Sequence, residues 1–340
     1  MQKKGALTDA RAKEMLGEVQ AALTGPFKAG YESLIAWQRE DRNLAPERAA
    51  GVHALPNGAA FYAERLANQT TTTLTAEQIH ATGLAEVARL RTEMEAIKNE
   101  AGFKGDLPAF FAELRDNKDN PRYYYPNTDA GRQAYIADAS AAIEKITAVL
   151  PKYFGILPKA DLVVRRVEPF REQAGAAQHY FPSTPDGSRP GVYYAHLLDM
   201  KAMPKSELEV IAYHEGLPGH HMQIAIAQES TPVPTFSQAG FGAYAEGLGL
   251  YSEVEYFLAN SATTEAQARS EIRRYLVLPG QATSYKIGML KIQELRRKAE
   301  TALGPRFEIR GFHDTVLGGG ALPLTVLEKG VDRWIADRKK

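Results

Sequence analysis

Apolar residues recur at three- and four-residue spacing along most of the chain, and stretches in which apolar and polar residues alternate are few. The first pattern puts apolar side chains on one face of a helix, whereas alternation is typical of a half-buried strand. The sequence therefore predicts a mainly α fold. The predicted helical segments are 8–23, 26–40, 58–68, 75–102, 107–116, 128–150, 206–228, 239–260, 264–277, 281–302 and 323–338.

The clearest helix begins at Thr75, because Thr75 and Gln78 have the spacing of a capping box. In that motif each side chain bonds the other residue's backbone N–H, which satisfies donors that the first turn leaves open. The pattern predicts a set of apolar side chains on the inward face of this helix. They are Ile79, Leu84, Val87, Leu90 and Met94.

Between about 161 and 197 the pattern changes to short segments rich in β-branched and aromatic residues. DLVVRRVE, AAQHYF and GVYYAH are separated by turn-forming residues such as those of PSTPDGSRPG. We therefore expect one small β-sheet of two or three strands. With no internal repeat or obvious linker, the sequence predicts a single domain over 1–340, helical in 1–155, with the sheet in 156–200 and further helices in 201–340.

Composition narrows the possible functions. The chain has 41 Lys and Arg against 41 Asp and Glu, so its formal net charge is zero and nucleic acid is not an expected partner. No run of about 18 apolar residues appears, so no membrane span is expected. Because there is no cysteine, disulfides, thiolate zinc sites and thiol nucleophiles are excluded. Any metal must be held by histidines and carboxylates.

The first residues, MQKKGALTDARAKEMLGE, have a basic start without an apolar stretch behind it. They do not predict a secretory signal in this chain. Because the chain could begin in the middle of a longer protein, both an exported and a cytoplasmic location stay open. The oligomeric state is also left open by the sequence.

The segment HEGLPGHHMQ carries His214, Glu215, His220 and His221 within eight residues. Ser206 and Glu209 have the spacing of a capping box, and an apolar stripe follows them. Together they predict a buried helix that brings these groups into the interior. Zinc hydrolases use histidines to bind the metal, and the carboxylate next to one of them acts as general base. The residue types therefore predict a zinc site.

The spacing differs from HExxH, in which the histidines lie four residues apart on one helical face. Pro218 has no N–H to continue the helix, and Gly216 and Gly219 permit unusual dihedrals, so we expect the helix to bulge or break. A two-residue bulge would return His220 to the position that the fourth residue normally holds. His220 is the favoured second imidazole ligand, and His221 is the alternative or a supporting residue.

A catalytic zinc site needs a third protein ligand and an open position. Glu246, in FGAYAEGLGLYSEVEYF, is the best candidate, because the small residues Gly247 and Gly249 beside it would let another helix approach closely. Glu253, two turns further along the same face, is the alternative ligand or a supporting residue.

HEGLPGHHMQ and AYAEGLGLY resemble the bacterial family known as domain of unknown function 885, whose members carry HExxPGHH and then an EGWALY-like segment. That family is similar to helical gluzincin peptidases of the thimet oligopeptidase, carboxypeptidase Taq and angiotensin-converting enzyme type. The resemblance implies a helical bundle-like zincin domain with the sheet before the metal-binding helix. It implies His214, His220 and Glu246 as ligands of one Zn²⁺ and Glu215 as the base. Members are commonly longer at the N-terminus, so this chain would be the C-terminal part or a short form.

A peptidase also needs a donor for the oxyanion of its tetrahedral intermediate. Tyr285, in LPGQATSYKIG, is the candidate, because a Pro-Gly break and small residues precede it. Tyr193 and Tyr194 of GVYYAH are candidate substrate-binding residues if that segment is an edge strand, to which an extended peptide can add.

The favoured hypothesis is a zinc-dependent hydrolase that cleaves a peptide substrate. A catalytically inactive zincin-fold binding protein and a metal-dependent hydrolase of other amides are the alternatives. A di-metal carboxylate bundle is disfavoured, since Glu77 and His80 form only one of the two Glu-x-x-His pairs that it requires. Whether a peptide would be cut internally or at an end is not determined by these residues.

Overall fold

The computed structural model describes residues 7–45, 51–173, 176–230, 240–257, 271 and 273–340, with the side chains of 253–257 outside the description. Contacts divide the chain into two compact units, Met1–Gly51 and Val52–Lys340. The organisation as a single domain stays a prediction. In the first unit, helices α1 (Asp9–Ala22) and α2 (Lys28–Asp41) are joined by a π-helical turn that contains Pro26.

The second unit is also mainly helical, which confirms the predicted fold class. One of its helices, Ile309–Leu317, was not predicted, and most of the predicted helix 264–277 lies outside the described residues. Its helices are α3 (Gly58–Thr70), α4 (Ala76–Glu100), α5 (Leu107–Asp116), α6 (Asp129–Thr147), α7 (Leu208–Glu215), α8 (His220–Glu229), α9 (Gly242–Phe257), α10 (Gln281–Leu303), α11 (Ile309–Leu317) and α12 (Leu324–Lys339).

Helix α4 begins at the predicted capping box. The Gln78 N–H donates to the Thr75 hydroxyl, and the Thr75 N–H donates to the Gln78 side chain. The inward orientation predicted for Leu84 and Val87 is wrong, because these side chains are 60% and 63% exposed. Spacing identifies the residues that share a helical face, but it does not show whether another element covers that face.

The predicted small sheet is confirmed as three strands, β1 (Leu162–Arg166), β2 (His179–Phe181) and β3 (Gly191–Ala195). Their order is β1-β3-β2, with β3 parallel to β1 and antiparallel to β2. Of the two interpretations of GVYYAH, an edge strand or an ordinary core strand, the structure therefore excludes the edge strand. Both of its edges are paired, so no extended peptide can add to it.

Helices α9 and α10 pack with their backbones in contact. A β-carbon at Gly288 of α10 would lie 1.8 Å from the Ala243 carbonyl oxygen and 2.8 Å from the Gly247 Cα of α9. Glycine is therefore required at both 247 and 288. It brings Glu246, beside Gly247, close to Tyr285, one turn before Gly288.

Within the described residues, no helix has the length and apolar character that are needed to cross a membrane.

Candidate metal centre

The predicted break in the metal-binding helix is present between α7 and α8. The Gly219 N–H donates to the Tyr213 carbonyl at 3.0 Å, a partner six residues back instead of the usual four. Two additional residues are therefore accommodated in the chain between these bonded groups. His220 thus takes the position that the fourth residue after His214 would hold in a regular helix, as the sequence predicted.

Gly219 is required at this break, because a β-carbon there would lie 2.0 Å from the His214 carbonyl oxygen. The predicted capping box at Ser206 and Glu209 does not form. A 3₁₀ turn over Lys205–Glu207 leads into α7, whose first residue is Leu208, and no side chain caps it.

His214, His220 and Glu246 converge. One candidate ligand atom from each lies within 4.8 Å of the others, and no second group of this kind is found in the part of the chain that the structure describes. Nε2 of His214 and Nε2 of His220 each lie 3.5 Å from Oε2 of Glu246. The two imidazole rings are nearly perpendicular, at 86°, with centroids 4.5 Å apart.

These separations fit a single zinc ion. Ligand atoms about 2.0–2.1 Å from a tetrahedral zinc lie about 3.4 Å from one another. Oε2 of Glu246 is buried and has no hydrogen-bond partner, and an unsatisfied buried oxygen is costly unless something binds it. Two imidazoles and a carboxylate are also a donor set that zinc accepts.

The charges of the cluster keep the Glu246 carboxylate ionised, which is the form that binds a metal. Burial raises its pKa, but the neighbouring imidazoles of His214 and His220 outweigh burial and hold the pKa well below its usual range. Glu246 is therefore ionised at neutral pH. The side chain of Glu253, the alternative third ligand, lies outside the described residues.

Tyr285 lies beside this trio. Its ring is nearly parallel to that of His214, at 22°, with centroids 6.1 Å apart, and the Arg274 guanidinium carbon lies 5.6 Å from the ring centre. Burial and the negative charge of Glu246 raise the pKa of Tyr285. Its hydroxyl is therefore protonated at neutral pH and available as a donor.

Glu215 is buried, at 7% exposure, but its carboxylate is not part of the trio. It lies near a buried pair of tyrosines, Tyr135 and Tyr193, whose hydroxyls are 2.9 Å apart. Burial is the main cause of the raised pKa of both hydroxyls, and the charge of Glu215 adds to it. Tyr135 was not singled out in the sequence. The four-residue spacing of Tyr135 and Ala139 on α6 indicates that Tyr135 faces the core. It does not indicate that the Tyr135 hydroxyl pairs with Tyr193.

The substrate contact predicted for Tyr193 is wrong, because this side chain is 0% exposed. Tyr194, on the other face of β3, stacks against His179 with ring centroids 5.4 Å apart. The Arg171 guanidinium carbon is 5.7 Å from the Tyr194 ring centre. Neither tyrosine offers an unpaired strand edge to a peptide.

His221 does not join the trio. Its Nδ1 lies 3.0 Å from the Tyr180 hydroxyl, and its Nε2 lies 3.0 Å from the Ala160 carbonyl oxygen. Both ring nitrogens are therefore engaged by the segments around the sheet. Of the two histidines considered as the second imidazole, the structure brings only His220 to Glu246.

With this geometry established, the comparisons with known proteins identify the family. The family described as "Bacterial protein of unknown function (DUF885)" matches residues 1–254 and 252–331. The chain belongs to this family. No curated protein matches the chain.

Two solved structures are similar to this DUF885 chain. One is the crystal structure of a candidate lipoprotein from Colwellia psychrerythraea, with 30% identity and a TM-score of 0.89, and it aligns over 98% of this chain. The chain spans 64% of that relative's length. The other, a candidate lipoprotein of unknown function from Shewanella oneidensis, has 18% identity and a TM-score of 0.63 over 95% of this chain and 67% of its own. It shares the fold.

Proposed function

We propose that this protein is a zinc-dependent hydrolase that cleaves peptide bonds. The observation that carries the proposal is the convergence of His214, His220 and Glu246, with 3.5 Å between each Nε2 and Oε2. A structural zinc site is usually closed by four protein ligands, whereas three protein ligands and an open position are typical of catalytic sites. A zinc ion held there would supply Lewis-acid polarisation of a carbonyl group and of water.

Glu215 is the proposed general base. It follows the ligand His214 directly in the chain, and a zinc site of purely structural function has no use for this additional carboxylate. In the proposed reaction its carboxylate accepts a proton from the attacking water and delivers that proton to the leaving amine.

Tyr285 is the proposed oxyanion donor. Its raised pKa keeps the hydroxyl protonated, and its ring lies beside His214. A preorganised donor at the developing negative charge lowers the barrier of acyl transfer, because it needs no reorientation during the reaction.

The test is cleavage of a mixed peptide library, followed by mass spectrometry, with protein purified without chelators and assayed with and without added zinc. We expect zinc-dependent cleavage by the wild type and a loss of at least about a hundredfold in Glu215→Gln at equal zinc content. Glu209→Gln is the matched control, because Glu209 is on the same helix and pairs with Lys145 at the surface. It should leave cleavage unchanged.

Two results would overturn parts of the proposal. Full activity of zinc-loaded Glu215→Gln would show that another group is the base. A zinc-loaded wild type that cleaves no peptide would exclude the peptidase, and hydrolysis of simple amides by the same sample would then identify the other amide-hydrolase function.

A further inference from the structure

A cavity adjoins the metal-binding segment, because Tyr213 and Pro218 are among its lining residues. It has a volume of about 770 Å³ and is lined by residues of α6, α7, α9, α10 and α11 and of the turn that contains Pro218. This volume lies within the range of small-molecule sites, about 300–1,000 Å³. His214, His220 and Glu246 are not among its lining residues, so the cavity is distinct from the proposed metal centre.

Most of the cavity wall is apolar, and five helices contribute to it. The apolar side chains of this wall that keep accessible surface include Ile146, Val149, Tyr213, Pro218 and Ile309. Other apolar lining residues, such as Leu248 and Ile292, belong to the buried core. An apolar ligand body that displaces water from the accessible part of this wall gains the hydrophobic free energy of that surface.

The cavity also has a polar region built around Tyr251. Arg296 Nη1 donates to the Tyr251 hydroxyl at 3.0 Å, and this hydroxyl lies 3.2 Å from Nε2 of His313. Nδ1 of His313 lies 2.9 Å from the Tyr153 carbonyl oxygen. The network therefore fixes the Arg296 side chain at the cavity wall.

The charges of this region favour an anion. Arg296 and Arg297 both line the cavity, and Glu300 is the acidic residue of its lining. Glu300 accepts a hydrogen bond from Arg296 at 2.9 Å. Two guanidinium charges against one carboxylate leave one net positive charge. Guanidinium groups bind carboxylates through paired, charge-assisted hydrogen bonds.

We propose that this cavity binds a small carboxylic acid with an apolar body, its carboxylate at Arg296 and Arg297 and its body against Ile146, Val149 and Ile309. An acyl chain and an apolar residue at the end of a peptide share this chemistry. The inference does not rest on the proposed hydrolase, since it uses none of the metal-centre residues.

Isothermal titration with three probes tests the proposal and separates the two sources. Sodium decanoate represents the acyl chain, N-acetylphenylalanine represents the peptide end, and decyltrimethylammonium has the decanoate-length tail with the opposite charge. Each is used below its micelle concentration. We expect saturable binding of one acid per chain and no saturable binding of the cation. Equal binding of the cation, or no saturation by either acid, would overturn the proposal.

Variants locate the bound acid. Arg296→Gln combined with Arg297→Gln should weaken binding by about tenfold or more, and Ser252→Phe should remove it by filling the cavity that Ser252 lines. Arg333→Gln, at an exposed position of α12, is the control and should bind as the wild type does. Thermal unfolding checks that each variant is folded. Unchanged affinity in the folded double variant or in folded Ser252→Phe would contradict the assignment.

Discussion

The backbone of Gly249 on α9 lies directly against the imidazole ring of His214 on α7. A β-carbon at Gly249 would be 2.7 Å from Cε1 of His214 and 2.9 Å from its Nδ1. Real β-carbons do not come this close to a ring, so the glycine is what lets the ring sit there. Glu246 is on the same helix. Helix α9 therefore determines the positions of both the His214 imidazole and the Glu246 carboxylate that faces it.

Gly249→Ala should push the His214 ring away from Glu246 and lower zinc affinity by about tenfold or more, as for other residues that orient metal ligands. Competition with a chelator of known affinity measures the change. Gly330→Ala on α12 is the matched control, because no atom lies within 4 Å of its added β-carbon. It should keep zinc affinity and gain up to about 1 kcal/mol of stability. Wild-type zinc affinity in Gly249→Ala would show that this contact does not position the ring.

Gly288→Ala should destabilise the fold, because its β-carbon would overlap the Ala243 carbonyl oxygen at the crossing of α9 and α10. Helices forced apart lose packing along their contact, at a cost of about 1–3 kcal/mol. Urea unfolding measures the free energy, with Gly330→Ala again as control. An unchanged free energy of unfolding would contradict the close crossing.

The adjacent histidines should respond in opposite ways. His221→Ala leaves the Tyr180 hydroxyl and the Ala160 carbonyl without their partner, so we expect a loss of about 1–3 kcal/mol in stability with zinc content unchanged. His220→Ala should lose zinc and stay folded. Elemental analysis and urea unfolding of both variants separate these outcomes, and loss of zinc only in His221→Ala would reverse the assignment.

His313 should make stability depend on pH. Burial lowers the pKa of His313, and the positive charge of Arg296 lowers it further. The Tyr153 carbonyl and Asp314 act in the opposite direction. The Tyr251 hydroxyl also faces the ring. The imidazole is neutral in the folded state, so near its ordinary pKa it binds fewer protons there than in the unfolded chain. Its contribution to the free energy of unfolding is therefore complete above pH about 6.5 and is lost as the pH falls below that value.

The measurement is the free energy of unfolding from pH 7.5 to 5 in the wild type and in His313→Gln. The variant should lose less stability over this range, by up to about 1.4 kcal/mol per pH unit. Other buried histidines contribute to both proteins and cancel in the difference. Identical slopes would show that His313 is not held neutral.

The metal-binding segment could be predicted because its determinants are local. Pro218 removes one N–H, and Gly219 lets the backbone approach the carbonyl of His214, so the two-residue shift that brings His220 forward follows from neighbouring residues. Glu246 could be chosen for a similar reason, since the glycines beside it indicate a close helix crossing.

Features that depend on distant partners were not predictable in this way. Strand β3 is central because β1 and β2 pair with it on either side. The residue spacing within one segment does not predict the order of the strands. The exposure of Leu84 shows the same limit for a helical face. The contact between Tyr251 and His313 joins residues 62 positions apart, and no local pattern marks it.

The most direct test is the zinc content of the protein, measured by elemental analysis after purification without chelators. We predict about one zinc per chain in the wild type and in Glu209→Gln. His214→Ala and Glu246→Gln should contain little zinc, while circular dichroism shows that both remain helical. Zinc-free wild type that also fails to bind added zinc, or equal zinc content in the wild type and both ligand variants, would contradict the proposed metal centre.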